Sequence, residues 1–276
     1  MHPNENMMEM RDVKNVPPFW PTDPASALCL VQQDFESEMS DMPYYNLVRL
    51  DYPALTAELA ALPAPSMSVA RVFGIDVESS KALMSLGFHK MCVQTLFATG
   101  LTRRQPDHAP SPVIDLDLDA DTLVLHARNL RFSNFTFDPC LSDASWIRIH
   151  RRIIERRLAA PSALKFSLES GFVCFRVLEG KAVIDLFSVL EPRRGIGAAL
   201  MNLVLDYCAT QGLQWVEVVT GCENLPACLF YQKMGFLLFG SIGVFHHHKE
   251  KNCNPSNLCN IPDRGRDKKQ TQTMPS

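Results

Sequence analysis

The chain has 276 residues, 46% of them hydrophobic, and a formal net charge of −3. That is enough apolar material for one or two domains with a sizeable core, and no global field that would draw the chain to nucleic acid. No apolar run reaches about 18 residues, so no transmembrane helix is expected. The nine cysteines are odd in number and include no CxxC, which speaks against a disulfide framework and a zinc ribbon and for a reducing cytoplasm.

Residues 1–25 carry no periodicity and read as irregular; residues 26–112 read as a first folded unit. YYNLVRL (44–50) is strand-like, PALTAELAAL (53–62) puts Leu55, Leu59 and Leu62 at helical spacing, and MSVARVFG (67–74) is a strand. VESSKALMSLGF (77–88) is a short helix stopped by Gly87 and followed by the strand HKMCVQTLFA. The proline- and charge-rich stretch 102–112 is the expected linker.

A second unit is expected over 113–247. PVIDLDL (112–118) reads as a strand, and Asp119 caps a helix running through Asn129. ASWIRIHRRIIERRL (144–158) is amphipathic, with Trp146, Ile149 and Ile153 on one face and Arg148, Arg152 and Arg156 opposite. ALKFSLE, FVCFRVL and KAVIDLFSVL are three strands joined by tight turns, followed by the turn EPRRGIG and a long apolar helix to Gln211. QWVEVVT is a strand, NLPACLFYQKMGF (224–236) a helix ending at Gly235, and LFGSIGVFHH a final strand. The polar, basic tail 248–276 is expected to be disordered. There is one internal echo. SSKALMSLGF (79–88) and ACLFYQKMGF (227–236) both read helix, Gly-Phe, strand, with Leu83 in the place of Tyr231 and Asp76 in the place of Asn224.

The chemistry concentrates at the turn that holds Gly195 and Gly197. A strand, a glycine-rich turn and a helix N-terminus make an anion site, because the first N–H groups of a helix lack internal partners and its dipole favours negative charge there. A dinucleotide fold would need GxGxxG early in a βαβ unit, and a Walker loop would need GK[ST]; neither is present. The pyrophosphate of coenzyme A remains.

RRGIGAALM (193–201) followed by ENLPACLFYQKMGF (223–236) resembles the Gcn5-related N-acetyltransferase (GNAT) superfamily, with matches at Gly195, Gly197, Asn224, Ala227, Tyr231, Gly235 and Phe236. DFESEMSDMPYYNLVRL (34–50), SNFTFD (133–138) and the arginine-bearing helix are similar to the dTDP-fucosamine acetyltransferase-like sugar N-acetyltransferases. The fold class implied is α/β (α+β): a mixed, mostly antiparallel central sheet flanked by helices, plus a smaller N-terminal α/β domain that is itself partly GNAT-like. The activity implied is acetyl-CoA-dependent acetylation of a primary amine, on a nucleotide-linked amino sugar of the dTDP-4-amino-sugar type. Acetyl-CoA is then the cosubstrate, with no metal, and the partner is a small-molecule amine acceptor, not nucleic acid or membrane; a homodimer is compatible with this.

By the same resemblance, Arg193, Arg194, Gly195, Ile196, Gly197 and Ala198 would hold the pyrophosphate through main-chain N–H groups. Phe187, Ser188, Val189 and Leu190 would pair with the pantetheine arm, in a gap where two central strands splay after Leu190. Asn224 would contact the coenzyme or simply cap its helix. Tyr231 would be the catalytic acid that meets the departing sulfur. Ser133, Asn134, Phe135, Arg148 and Arg152 would bind the acceptor. Two departures stand out: Pro192, not Arg or Gln, lies three residues before Gly195, so the loop reads as shortened, and Phe230 precedes the tyrosine where the sugar enzymes carry a basic residue.

Each assignment has a plainer alternative. The arginine helix is also a solvated face, with Arg151–Glu155 an i,i+4 pair. Glu217 is a candidate general base, but a strand residue points to either face. His246–His248 resemble metal ligands, yet neighbouring strand residues point to opposite faces and no second cluster is evident in the sequence. A non-catalytic acyl-CoA-binding module is the alternative function, as is acetylation of another small amine or of a protein amine.

Overall fold

The computed structural model describes residues 29–249, apart from 75, 103, 106–109, 114 and 115. The expected irregular N-terminal segment and nearly all of the tail therefore lie outside the described residues. Among the described residues nine strands form one sheet: β1 (Leu30–Gln32), β2 (Tyr44–Leu47), β3 (Ser66–Phe73), β4 (His89–Gly100), β5 (Leu164–Leu168), β6 (Gly171–Leu178), β7 (Lys181–Val189), β8 (Trp215–Gly221) and β9 (Leu237–Lys249). Seven helices flank it: α1 (Asp34–Ser40), α2 (Tyr52–Ala61), α3 (Val77–Ser85), α4 (Ala120–Asn129), α5 (Asp143–Ala159), α6 (Ile196–Thr210) and α7 (Leu225–Lys233). This is the mixed, mostly antiparallel sheet flanked by helices that the sequence implied. Among the described residues no helix is long and apolar enough to cross a membrane.

The order across the sheet is β1-β2-β3-β9-β4-β8-β7-β6-β5. It reads nearly the same from either end because the chain folds one pattern twice. β1 and β2 pair antiparallel and β2 and β3 parallel; β6 and β7 pair antiparallel and β7 and β8 parallel. The last strand of each copy crosses over: β9 lies on β3, β4 lies on β8, and β4 and β9 pair with each other. The helix endings agree in detail. Phe88 N–H donates to Leu83 O at 3.1 Å and Phe236 N–H to Tyr231 O at 3.0 Å. Gly87 and Gly235 sit at φ +85° and +89°, the left-handed region that glycine adopts without a Cβ penalty. The expected division at 112/113 falls between β4 and α4, and strands from both sides of it share the one sheet.

Helices α6 and α7 cover one face of the sheet, where Leu200, Met201 and Val204 pack on Phe175, Ile184 and Val218. Helices α4 and α5 cover the other, where Leu123, Ala127, Ile154 and Leu158 pack on Phe172, Cys174 and Leu186. Along each strand the buried set alternates between these faces, as a pleat requires.

Four readings change. Residues 30–32 and 34–40 form β1 and α1, which the sequence analysis left unassigned. Residues 112–118 form no strand among those described; Val113 N–H makes one bond to Lys165 O, at 2.7 Å, and Leu116 and Leu118 pack against the α4–α5 side. Alternation alone does not make a strand, even beside the open edge of β5. Strand β9 continues through Lys249, two residues into the expected tail. Six cysteines are free among the described residues, but Cys140 is disulfide-bonded.

Leu200 is fully buried at the centre of the α6 packing. Leu200→Ala is expected to destabilise the fold by about 3 kcal/mol, read as a fall in the urea midpoint; a change within error would mean that α6 is not anchored as described.

Candidate active site

Strands β7 and β8 pair in parallel only from Lys181/Trp215 to Ile184/Val218. The cause is local. The β6 register slips between Cys174, opposite Leu186, and Phe175, opposite Ile184, which leaves Asp185 as an extra residue. Such a bulge raises the twist and bends the strand, and Arg176 holds Asp185 there through bonds of 2.5 and 2.7 Å. The splay therefore begins after Ile184, not after Leu190 as the sequence suggested. Beyond it, Leu190 N–H donates to Ser170 O at 3.0 Å, toward β6. By strand alternation, the N–H and C=O of Phe187 and Val189 face the gap.

The helix that follows β7 starts without a cap. Helices α2, α3, α4, α5 and α7 each begin on an Asp, Ser or Asn side chain that accepts a first-turn N–H. Helix α6 begins on Gly195, at φ +83°, with no side-chain cap bond. Its first N–H groups are left for a ligand. A Cβ added to Gly195 would meet nothing within 4 Å, so the glycine serves backbone conformation here, not close packing. Arg193 is also left-handed, at φ +71°. Arg194 pairs with Glu191 and, at 3.6 Å, with Glu169. The turn thus carries two carboxylates already held by its own arginine.

Tyr231 stands where the gap meets α6 and α7. It is buried, with the rings of Phe230, Phe236, Phe97 and Phe187 at 5.4, 5.7, 5.8 and 6.4 Å. Burial raises its pKa well above the usual phenol value, and Cys228 adds to this. The hydroxyl therefore keeps its proton at any physiological pH and acts as a donor. Phe230 fills the space between the first turn of α6 and β7: a Cβ on Gly197 would lie 3.6 Å from the Phe230 ring and 3.8 Å from the Phe187 ring. Asn224 caps α7, accepting from Ala227 N–H at 3.4 Å while donating to Thr220 Oγ1 at 3.2 Å.

The acceptor-side residues fall into two groups. Ser133, Asn134 and Phe135 belong to a loop next to the end of β8, where Gly221 is so close that a Cβ would lie 2.9 Å from Phe132 O. They are largely occupied. Ser133 Oγ bonds His150 Nε2 at 2.7 Å, Asn134 Nδ2 donates to His246 Nε2 at 3.0 Å, and Phe135 packs with Trp146 and Ile149. Arg148 and Arg152 sit apart from them, both on Asp41 at 2.8 Å, with Arg152 also donating to Met39 O. The repulsion along the arginine column is thus relieved from within, by a carboxylate at the end of α1.

Two further readings are corrected. His246 and His248 point to one face and converge on Asp138, donating to its Oδ2 at 2.6 and 2.7 Å. Burial opposes the Asp138 charge, but the two imidazole donors more than offset it and hold the carboxyl well below its usual range. A cluster therefore does exist, and Cys140 lies with Asp138 and His248 inside 4.8 Å; its sulfur is bonded in the disulfide and the carboxylate oxygen is already used. Glu217 points to the α4–α5 face and binds Lys181 with both oxygens, at 3.0 and 2.9 Å, which makes it half of a buried ion pair.

Residues that the sequence analysis missed lie on α4. Asn129 Nδ2 donates to Ser188 Oγ at 3.0 Å and to Val189 O at 3.2 Å. The Ser188 hydroxyl, already accepting from Asn129, also shares a hydrogen bond with His126 Nδ1 at 2.8 Å. Burial lowers the His126 pKa and favours the neutral ring. The helical periodicity of α4 put His126 near its buried face, but nothing in the sequence linked it to β7.

Residues 170–236 match the model of the acetyltransferase (GNAT) family. This stretch runs from the turn before β6 to the residue before β9. An uncharacterized N-acetyltransferase of Methanocaldococcus jannaschii is 44% identical over 43 residues, 16% of this chain and 19% of that protein. The uncharacterized Bacillus subtilis protein YxbD is 36% identical over 56 residues, 20% of this chain and 35% of that protein. The chain thus spans about a third or less of the length of these curated relatives. Among solved structures, a functionally unknown conserved protein from Staphylococcus epidermidis superposes with a TM-score of 0.50 at 12% identity, covering 83% of this chain and 94% of the other. A GCN5-related N-acetyltransferase from Sphaerobacter thermophilus gives a TM-score of 0.44 at 13% identity, over 71% and 64% of the two chains. Residues 170–236 of this chain are therefore similar to GNAT acetyltransferases.

Glu217→Gln leaves the Lys181 charge without its partner and is expected to cost about 3 kcal/mol. The double change Lys181→Met, Glu217→Leu should recover most of that in urea unfolding; if Glu217→Gln is neutral, the pair is not the buried one described. Burial holds His150 down to about 4, whereas an unfolded imidazole titrates near 6.5. The unfolded chain therefore binds the extra proton between those values. The associated stability is complete above about pH 6.5 and is lost as pH falls toward 4, by about 3 kcal/mol. His150→Gln is expected to flatten the stability–pH slope over that interval; an unchanged slope would clear His150 of the effect.

Proposed function

We propose that the protein transfers the acetyl group of acetyl-CoA to a primary amine. The observation that carries this reading is the uncapped N-terminus of α6 beside a gap where β7 and β8 have stopped pairing. The pyrophosphate would lie against the N–H groups of Arg193 to Ala198. The pantetheine arm would take the place of a missing strand along Phe187–Leu190, meeting the N–H and C=O of Phe187 and the N–H of Val189, whose C=O is held by Asn129. Holding both reactants in one orientation supplies much of the rate.

In the reaction the amine nitrogen bonds to the acetyl carbon, the C–S bond breaks, and the amine gives up a proton. The Val189 N–H faces the gap and would polarise the thioester carbonyl. Tyr231 would donate a hydrogen bond to the sulfur as charge develops on it. At reference values a phenol near 10 and a thiol near 8.5 make full proton transfer uphill by roughly 2 kcal/mol, and the raised pKa of Tyr231 adds to that. Its role is therefore a hydrogen bond to the developing thiolate, not complete protonation.

For the acceptor, the reading extends to a nucleotide-linked amino sugar, met from the α4–α5 side. The sequence resemblance and the nearness of the Ser133–Phe135 loop to the end of β8 support it. Arg148 and Arg152 would reach a diphosphate by exchanging Asp41 for it. Cytoplasmic residence belongs to the same reading and draws on the six free cysteines among the described residues, against which stands the disulfide of Cys140. The shortened loop and Phe230 support a second reading, in which acyl-CoA is bound without turnover.

Calorimetry with acetyl-CoA is expected to give one site per chain, since Asp51 caps α2 where the first copy's equivalent turn would lie. Thiol release over a panel of amines, including dTDP-4-amino sugars, then separates turnover from binding alone; no binding at all would overturn both readings. Tyr231→Phe is expected to lower kcat at least about tenfold with acetyl-CoA affinity kept, and undiminished turnover would remove Tyr231 from the mechanism.

A further inference from the structure

Past Ile184 and Val218 no sheet hydrogen bonds join β7 to β8, so the spacing of their ends must be set by something else. One short segment touches both. Asn129, the last residue of α4, donates to Ser188 Oγ at 3.0 Å and to Val189 O at 3.2 Å, at the end of β7. Three residues later, Phe132 presents its carbonyl to Gly221, the last residue of β8, so closely that a Cβ there would sit 2.9 Å away. Backbone of that length reaches at most about 11 Å. With the Asn129 side chain and its hydrogen bonds added at one end, that span ties the two strand ends together and closes one side of the opening between them. The segment crosses on the α4–α5 face, opposite the helix that holds the coenzyme turn.

We propose that residues 129–132 form a strap across the mouth of the gap and limit the site to short acyl chains, with Asn129 and Gly221 as the specificity-determining residues. This rests on the acetyl-CoA reading above. Asn129 fixes the β7 end because its amide serves two acceptors there, one of them a main-chain carbonyl facing the gap. Gly221 fixes the β8 end because any side chain would push the Phe132 carbonyl away from the strand. A longer acyl chain has to displace the strap, and a single methylene in a closed apolar pocket changes affinity by about ten- to two-hundredfold.

The test needs no acceptor. Dissociation constants for CoA, acetyl-CoA, propionyl-CoA and butyryl-CoA are measured by calorimetry on the full chain, the Asn129→Ala variant and the Gly221→Ala variant. The unaltered protein is expected to bind butyryl-CoA at least about tenfold more weakly than acetyl-CoA. Either substitution should reduce that ratio to about threefold or less. A merely structural role would weaken all four ligands alike and leave the ratio where it was, which overturns the proposal. Equal binding of acetyl- and butyryl-CoA by the unaltered protein overturns it without recourse to variants, so a misfolded variant does not protect it. If none of the four ligands binds, the acetyltransferase reading fails and the strap fails with it; if they bind without discrimination, only the strap fails.

Discussion

The pairing of β7 with β8 is the constraint on which the candidate site depends. It lasts four residue pairs and then stops, because β7 carries one residue more than β6 can match. Parallel strands in a continuous sheet satisfy each other's main-chain groups. Here the far half of β7 keeps β6 on one edge and presents open N–H and C=O groups on the other. The bulge is held by a close ion pair: Asp185 is nearly buried, and Arg176 meets both of its oxygens. A sheet defect is thereby turned into a slot of defined position, with α6 beginning at its upper end.

The two copies of the fold show what such a slot requires. Both have the antiparallel pair, the parallel pair, the helix with its Gly-Phe ending and the crossing last strand. In the first copy, the helix after the second strand begins on Asp51, whose carboxylate accepts from Ala54 N–H, and the position equivalent to Tyr231 is Leu83, fully buried among Leu55, Leu59 and Phe88. A carboxylate at a helix N-terminus occupies the donors that an anion would need and repels the anion as well. In the second copy Gly195 leaves those donors open, and the buried ring at the helix end carries a hydroxyl. The same architecture therefore supports a closed core in one half and a proposed coenzyme slot in the other. The difference lies in these two side chains and in the bulge, which β7 has and β2 lacks.

The opposite wall is stiffened by polar contacts in the interior. Asp138 receives two imidazole donors, Asn134 completes the valence of His246, and Ser133 is tied to His150. A buried carboxylate is tolerated only when its lone pairs are met. Meeting them from β9, while His150 of α5 holds Ser133, locks the 131–142 loop against the sheet. That loop then lies against Gly221, and through Asn129 it is continuous with the contact to β7.

Local pattern was enough for much of this. The 3.6-residue spacing marked α2, α4, α5, α6 and α7, the tight turns marked the β5–β6–β7 meander, and the glycines at 195 and 197 with the Asn-to-Tyr spacing marked the family and the turn. These features depend on neighbours a few residues apart, where side-chain type and backbone preference are read directly. Tertiary structure decided the rest. The start of the splay depended on a mismatch between two strands, and Asp41's hold on Arg148 and Arg152 on a helix more than a hundred residues away in the chain. The convergence of His246 and His248 on Asp138 and the reach of Asn129 to β7 join residues about 60 to 110 apart in sequence. Periodicity reports which face a residue takes, but not what the fold brings to meet that face.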